Sequence, residues 1–409
     1  MRISTLRIID LWVGRPICWL MTILYFMKGI FTTKPPPKSP KKILFIKLFG
    51  AGSLVLAYPT VKATQLRFPA AEIYFLTFYS NRQVLTLLGL IPPANIFTVR
   101  SDSFSHLLMD LGRTLPKLVR KKIDIVIDLE FFSRFTAILS FALRTKQRIG
   151  FYGFYTEGLR RGRFINCPVN YNHTLHTAKA FFTLLRPLGI TQDQFDGTLP
   201  LVPPSIFFPK NIHTLLAKAI QVQEEELTDR WIVLNPNASE LSRLRRWPEE
   251  HFTTLAANLL TEFPDHRIVL VGSPSEKLFV DQLATQIISA TSQSKVANLA
   301  GKTSIAELID LFHFAAILIT NDSGPAHWAA LTDIPTITIF GPETPELYAP
   351  LNPNGKCLYL GLDCQPCISI FNGKHSYCTD NQCLKQLQPE IVLALAKEML
   401  TKGREKARP

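Results

Sequence analysis

Short apolar runs alternate with amphipathic stretches along most of the chain. In the first half the runs Lys42–Leu48 (KILFIKL), Glu72–Phe78 (EIYFLTF), Asn95–Val99, Ile123–Leu129 (IDIVIDL) and Arg148–Phe151 read as strands. Helical patterns, such as Ser53–Arg67 and Ser133–Leu143, fall between them. That alternation predicts an α/β fold with parallel sheets. A Pro-rich stretch, Leu199–Pro209 (LPLVPPSIFFP), interrupts it. It then restarts with Trp231–Asn235 (WIVLN), Arg267–Gly272 (RIVLVG), Val296–Leu299, Ile317–Thr320 (ILIT) and Thr336–Phe340 (TITIF). Two doubly wound domains joined near residue 200 account for both rounds. In such sheets ligands bind at the carboxyl ends of the strands.

The opening residues do not follow this pattern. Pro16–Met27 is apolar and free of charge but is bounded by Arg15 and Lys28. It falls short of the roughly 20 residues that a membrane span needs. A signal peptide would want a small-residue cleavage site, and Gly29-Ile30-Phe31-Thr32 is a poor one. The remaining expectation is an interfacial helix with Trp12, Trp19, Tyr25 and Phe26 at headgroup depth. The plainer alternative is a helix packed on the protein's own surface. Lys34–Lys42 (KPPPKSPKK) then reads as a stiff linker.

Composition narrows the class. With 409 residues, 47% apolar and 19% charged, each half can bury a core, which excludes disorder. The net charge of +13 is uneven. Residues 1–42 hold eight basic residues (Arg2, Arg7, Arg15, Lys28, Lys34, Lys38, Lys41, Lys42) against one acid, Asp10. Beside apolar and aromatic residues, such a cluster points to an anionic membrane surface. No zinc-finger or RNA-binding signature accompanies it, so no nucleic-acid partner is expected. Of seven cysteines, Cys18 and Cys167 stand alone, and Cys364, Cys367, Cys378 and Cys383 form C-x2-C-x10-C-x4-C. This approaches zinc-ligand spacing, so a structural zinc is a candidate, with reduced thiols or disulfides as the alternatives.

The chemistry lies at the predicted strand ends. After the first strand comes Phe49-Gly50-Ala51-Gly52-Ser53, a turn where Gly50 and Gly52 would let a ligand approach backbone N–H groups. It is not G-x-G-x-x-G, which weakens a dinucleotide reading. As a local feature, Ser53 is expected to cap the following helix. In the second half, Asn235-Pro236-Asn237 leads to Arg243-Leu244-Arg245-Arg246-Trp247-Pro248, whose three Arg suit a diphosphate. Asn321-Asp322-Ser323-Gly324-Pro325-Ala326-His327 follows a later strand, and Gly324-Pro325 opens a helix. The next strand ends in Phe340-Gly341-Pro342-Glu343 at the same sheet edge.

WPEEHFTTLAANLL, LAGKTSIAELIDLF, ITNDSGPAHWAAL and IFGPETPELYAP, taken in this order and spacing, resemble the family-nine glycosyltransferases, the ADP-heptose:lipopolysaccharide heptosyltransferases. KKILFIKLFGAGSLVLAYPTVKATQLRFPAAEIYFLTF is similar to that family's first strand and helix. The resemblance covers about residues 41–400. It implies a GT-B architecture, two Rossmann-like doubly wound domains facing a cleft. Residues 1–40 would be the membrane-associating segment and linker, 41–205 the acceptor-side domain and 206–388 the nucleotide-sugar domain. Residues 389–409 would form a helix packing back on the first domain, and a basic tail. The implied activity is inverting transfer of a sugar, heptose by family default, from a donor such as ADP-heptose to a lipid-linked glycan such as lipopolysaccharide core. No cofactor or metal is implied at the reaction centre. The implied location is cytoplasmic, peripheral on the inner face of the membrane.

By that resemblance Asp322, Ser323, Gly324 and His327 match a donor motif, and Arg245 stands where a Lys usually contacts donor phosphates. Lys302 and Thr303 match a GKT/S turn, and Asn237 replaces a frequent Gly. At the first turn the family's Asp, its proposed general base, is here Ser53. Serine has no basic group at pH 7. The expected substitutes are Glu130 first, then Asp128, both at the end of IDIVIDLE, with Glu157 a third choice. Two other classes stay open: a catalytically inactive binding protein, suggested by Ser53, and a Rossmann oxidoreductase, suggested by fold class alone.

Overall fold

The computed structural model describes residues 10, 12–27, 39–152, 161, 164–203, 209–224, 227, 230–238, 243–292, 295–372, 374 and 376–406. It divides the chain into two compact units, Met1–Thr198 and Leu199–Pro409.

In the first unit, helix α1 (Gly14–Met27) precedes β1 (Lys42–Ile46), α2 (Ala51–Arg67), β2 (Glu72–Phe78), β3 (Ile96–Val99) and α3 (Phe104–Arg120). Then come β4 (Ile125–Asp128), α4 (Arg134–Ala142), β5 (Gln147–Tyr152) and β6 (Cys167–Asn170). The six strands pair in the order β3-β2-β1-β4-β5-β6, all parallel. All four residues of β4 are buried, because helices cover both faces of such a sheet. Leu44, Ile46, Leu76 and Val126 pack against Leu107, Leu111 and Leu118 of α3. Those three α3 residues recur at helical spacing, which is why this segment coils with one apolar stripe. The chain switches direction along the sheet between β1 and β4, whose ends meet at the Ile46–Asp128 register pair.

The second unit repeats the plan. Its elements are β7 (Trp231–Asn235), α5 (Glu249–Glu262), β8 (Arg267–Leu270), β9 (Val296–Asn298) and β10 (Ala315–Asn321). After them come α6 (Gly324–Ala329), β11 (Thr336–Ile339), β12 (Gly355–Leu358) and α7 (Pro389–Lys406). Strand order is β12-β11-β10-β7-β8-β9, so the switch falls between β7 and β10. Alternation along β7 sends Ile232 and Leu234 to one core layer and Trp231 and Val233 to the other.

α7 gives Val392, Ala396 and Leu400, one turn apart, to the core it shares with Leu255 and Leu259 of α5. Val202 N bonds Leu331 O at 2.8 Å, so the Pro-rich stretch begins the second unit and the division falls before the expected 205/206 boundary.

The N-terminal helix packs on its own unit and also leaves an apolar face outside. Cys18 is buried with Ala137 of α4 and Phe164. Asp10 accepts from Phe135 N at 2.7 Å and pairs with Arg134 at 3.1 Å, at the amino end of α4. On the other side Trp12 is 75% exposed and Trp19 70%, with Val13, Leu20 and Ile23 beside them. No helix among the described residues is long and apolar enough to cross a membrane. Tyr25 and Phe26 lie in α1, but their side chains fall outside what the structure describes, as do Arg2, Arg7, Lys28, Lys34, Lys38 and Glu157.

Candidate functional site

At the first unit's switch point the backbone turns at Gly50. Its φ of +81° is a left-handed geometry that a side chain would strain, and a Cβ there would stand 2.9 Å from Ser53 Oγ. Gly50, not Ser53, is the residue before helix α2. Ser53 lies in the helix's first turn and donates back to Gly50 O at 2.7 Å and to Phe49 O at 3.2 Å. The expected cap is therefore corrected, because the glycine lets the helix start earlier. Gly52 is buried within α2.

Glu130 is 5% exposed and fully engaged. Its Oε1 accepts from Leu48 N at 2.6 Å and Phe49 N at 2.7 Å, and its Oε2 accepts from Lys47 Nζ at 3.0 Å. Lys47 Nζ also donates to Phe49 O. These four contacts pin the β1 turn to the end of β4. Asp128 is wholly buried, paired with Arg161, and accepts from Thr136 Oγ1 at 2.7 Å and Glu130 N at 3.0 Å. Burial pushes its carboxyl up from the ordinary range, while the Arg161 guanidinium pulls it down. Three donors face the Glu130 carboxylate, two backbone N–H groups on Oε1 and the Lys47 ammonium on Oε2, so the side chain holds the β1 turn in this geometry.

At the second unit's switch point the end of β7 and the end of β10 are sewn together by amides. Asn235 Nδ2 donates to Thr320 Oγ1 at 2.8 Å and Ser323 Oγ at 2.9 Å. Asn321 Nδ2 donates to Pro236 O, and Asn321 Oδ1 accepts from Trp247 N at 3.1 Å. Asn237 donates to Val271 O over Gly272, where a Cβ would come within 2.7 Å of the amide nitrogen. Asn235 and Asn321 were not singled out in the sequence. Their signal was only that each ends an apolar strand, where a buried amide must find partners.

This frame brings Arg245 to Asp322. Nη1 stands 3.1 Å from Asp322 Oδ2 and 3.8 Å from Glu343 Oε2, with the Arg245 side chain 13% exposed. Burial lowers the guanidinium's affinity for its proton, but the two carboxylates outweigh it, so it lies above its ordinary value. Trp247, two residues on, is buried against Phe252 and donates its indole N–H to Leu387 O at 2.8 Å, which anchors the arginine segment. Ser323 precedes α6, and His327 is buried within it. Lys302 and Thr303 sit apart, past the end of β9. Lys302 Nζ donates to Asn298 O at 2.9 Å and lies near the Asp281 carboxylate.

The late cysteines lie close together on the segment after β12. Cys364 and Cys378 are exposed, Cys367 is half-buried and Cys383 is buried. Cys378 Sγ accepts from Asn381 N, and Cys367 Sγ from Ser376 Oγ. Burial and the three neighbouring thiols push the Cys383 thiol up to about 11. Among the described residues no group of three or more His, Cys, Asp or Glu is arranged to hold a metal ion.

With the switch-point arginine and its amide-locked turns described, comparison with known proteins gives the family. The description of glycosyltransferase family 9 (heptosyltransferase) matches residues 112–377, more than half of the chain. The chain belongs to this family. Among curated relatives, lipooligosaccharide heptosyltransferase 2 of Campylobacter jejuni is 34% identical over 41% of this chain and 50% of its own length. The chain spans about half the length of the first curated relatives it matches. Among solved structures, E. coli ADP-heptose lps heptosyltransferase II aligns over 89% of this chain and 99% of that one, with a TM-score of 0.66 at 22% identity. E. coli heptosyltransferase WaaC with ADP aligns over 88% and 99%, with a TM-score of 0.61 at 18% identity. These likenesses establish the two-domain GT-B fold.

Proposed function

We propose that this family member transfers a sugar from a nucleotide-sugar donor to a lipid-linked glycan. The donor is ADP-heptose by family default, the acceptor a glycan such as lipopolysaccharide core, and the anomeric centre inverts. The observation that carries the reading is Arg245 held 3.1 Å from Asp322 at the β7/β10 switch point. There a buried guanidinium stabilises the diphosphate as its charge grows on leaving. A similar solved structure, E. coli heptosyltransferase WaaC with ADP, supports the nucleotide class. Asp322 keeps the guanidinium aimed, and the Asn235–Thr320–Ser323 bonds keep Asp322 in register. In the first unit Glu130 and Lys47 act as positioning residues that hold the Gly50 turn for the acceptor.

The acceptor's location follows from the N-terminal helix. Asp10, the only acid among residues 1–42, is spent on α4, so within that segment no other acid balances its eight basic residues. With Trp12 and Trp19 outermost, α1 suits the headgroup layer of an anionic membrane, on the inner face of the cytoplasmic membrane.

The test is transfer by the purified chain from a panel of nucleotide sugars to a lipid-linked core acceptor, with the product anomer read by NMR. Transfer of heptose with inversion is expected. Binding of ADP without transfer from any donor would instead mark the inactive binding protein that Ser53 suggests.

A further inference from the structure

The loop that carries the late cysteines sends one side chain into the Arg245 cluster. Lys374 Nζ is 2.6 Å from Glu343 Oε1 and 3.7 Å from the centroid of the Tyr348 ring. Glu343 Oε2 in turn faces Arg245 Nη1 at 3.8 Å. One buried carboxylate therefore bridges two cations that come from segments far apart in sequence. The Lys374 side chain is 21% exposed, although Phe371 and Tyr377 on the same loop are exposed. A lysine on a surface loop ordinarily keeps its ammonium in water, and burying an ion costs several kcal/mol unless partners replace the hydration. The Tyr348 ring and Glu343 are those partners. The loop backbone is set for this entry. Lys374 takes a left-handed φ of 62°, and its N–H donates to Ser369 O at 2.8 Å. Asn372 braces the turn by accepting from Ser369 N and donating to Cys367 O.

Charge balance gives the arrangement its meaning. Arg245 alone, set against Asp322 and Glu343, leaves the cluster at −1, which repels a phosphate. Lys374 brings it to zero, with both cations poised on carboxylates they can leave. We propose that Lys374 is a second cation for the donor diphosphate, delivered by the cysteine loop. Glu343 is the positioning residue that holds Lys374 beside Arg245 until a diphosphate takes over both cations. This rests on the β7/β10 switch point being the donor site.

Calorimetric titration of the full chain with ADP and with AMP tests it. Lys374→Met weakens ADP binding at least tenfold and AMP binding less than threefold, while Lys374→Arg keeps most of the ADP affinity. Lys374→Met that binds ADP within twofold of the unmodified chain, while Arg245→Met is weakened, overturns the proposal alone. An unmodified chain that does not bind ADP, or Arg245→Met that binds it normally, overturns the donor reading beneath it. If Lys374→Met does not fold, Glu343→Gln/Lys374→Met is compared with Glu343→Gln. A tenfold gap in ADP affinity between those two supports the role, and a gap under twofold removes it.

Discussion

Glu130 and Arg245 are both buried charges at switch points, but they do opposite kinds of work. Glu130 has every oxygen committed to its own turn, so its removal acts through structure. Glu130→Gln leaves Lys47 buried without a counter-charge and should cost about 3 kcal/mol. Thermal melts should show this as a lowered Tm. Lys47→Met/Glu130→Gln should recover most of the loss, because no unpaired charge remains. Ser53→Ala removes only bonds to Gly50 O and Phe49 O and should change kcat far less. Arg245, by contrast, faces the developing donor charge in the proposed reaction. Arg245→Ala and Asp322→Ala should each lower kcat/KM at least tenfold, about 1.4 kcal/mol. Equal kcat/KM in all three chains would misplace the donor site. Asp322 was legible because it directly follows an apolar strand, and Arg245 because it sits in a run of three arginines before a helix. Glu130's role was not. Its partners are backbone N–H groups of Leu48 and Phe49, over 80 positions away, and no side-chain pattern announces a backbone donor.

At the level of elements, α1 divides its residues between two environments. Gly14, Cys18 and the Asp10 contacts face α4, and Trp12, Trp19 and Leu20 face out. The sequence reading posed membrane contact and self-packing as alternatives because a helical repeat with apolar residues on every side fits either. In the fold one face is packed on α4 and the other is exposed. Two variants separate them. Trp12→Ser/Trp19→Ser touches only the outer face, so flotation with anionic liposomes should fall several-fold while Tm holds. Deleting residues 1–33 uncovers Ala137 and Phe164 and strips Asp10 from the amino end of α4, so it should lower Tm as well as release the chain. Liposome retention by the double Trp variant would place the membrane contact elsewhere.

Both sheets have the same order, with the first strand of each unit beside the fourth, and each candidate turn stands where that order reverses. The ten strands read from the sequence are the ten inner or well-buried ones. The two missed, β6 (CPVN) and β12 (GKCL), are edge strands with mostly exposed or half-buried residues. The other two edge strands, β3 and β9, keep more buried apolar residues and were read, so it is exposure rather than edge position that hides β6 and β12 from a hydrophobic pattern. The same locality of burial predicts how the molecule comes apart. Both core layers of the second unit draw only on residues from Ile212 to Leu400, and α7 closes one of them. Trp247 further ties the arginine segment to Leu387, just before that helix. Residues 199–409 expressed alone should therefore melt cooperatively and bind ADP within about fivefold of the full chain, since about 1 kcal/mol is all that difference represents. Ending the fragment at 388 removes Val392, Ala396 and Leu400 from the core and should abolish both the transition and the binding. If the 199–388 fragment binds ADP as well as the longer one, α7 plays no part in holding the donor unit together.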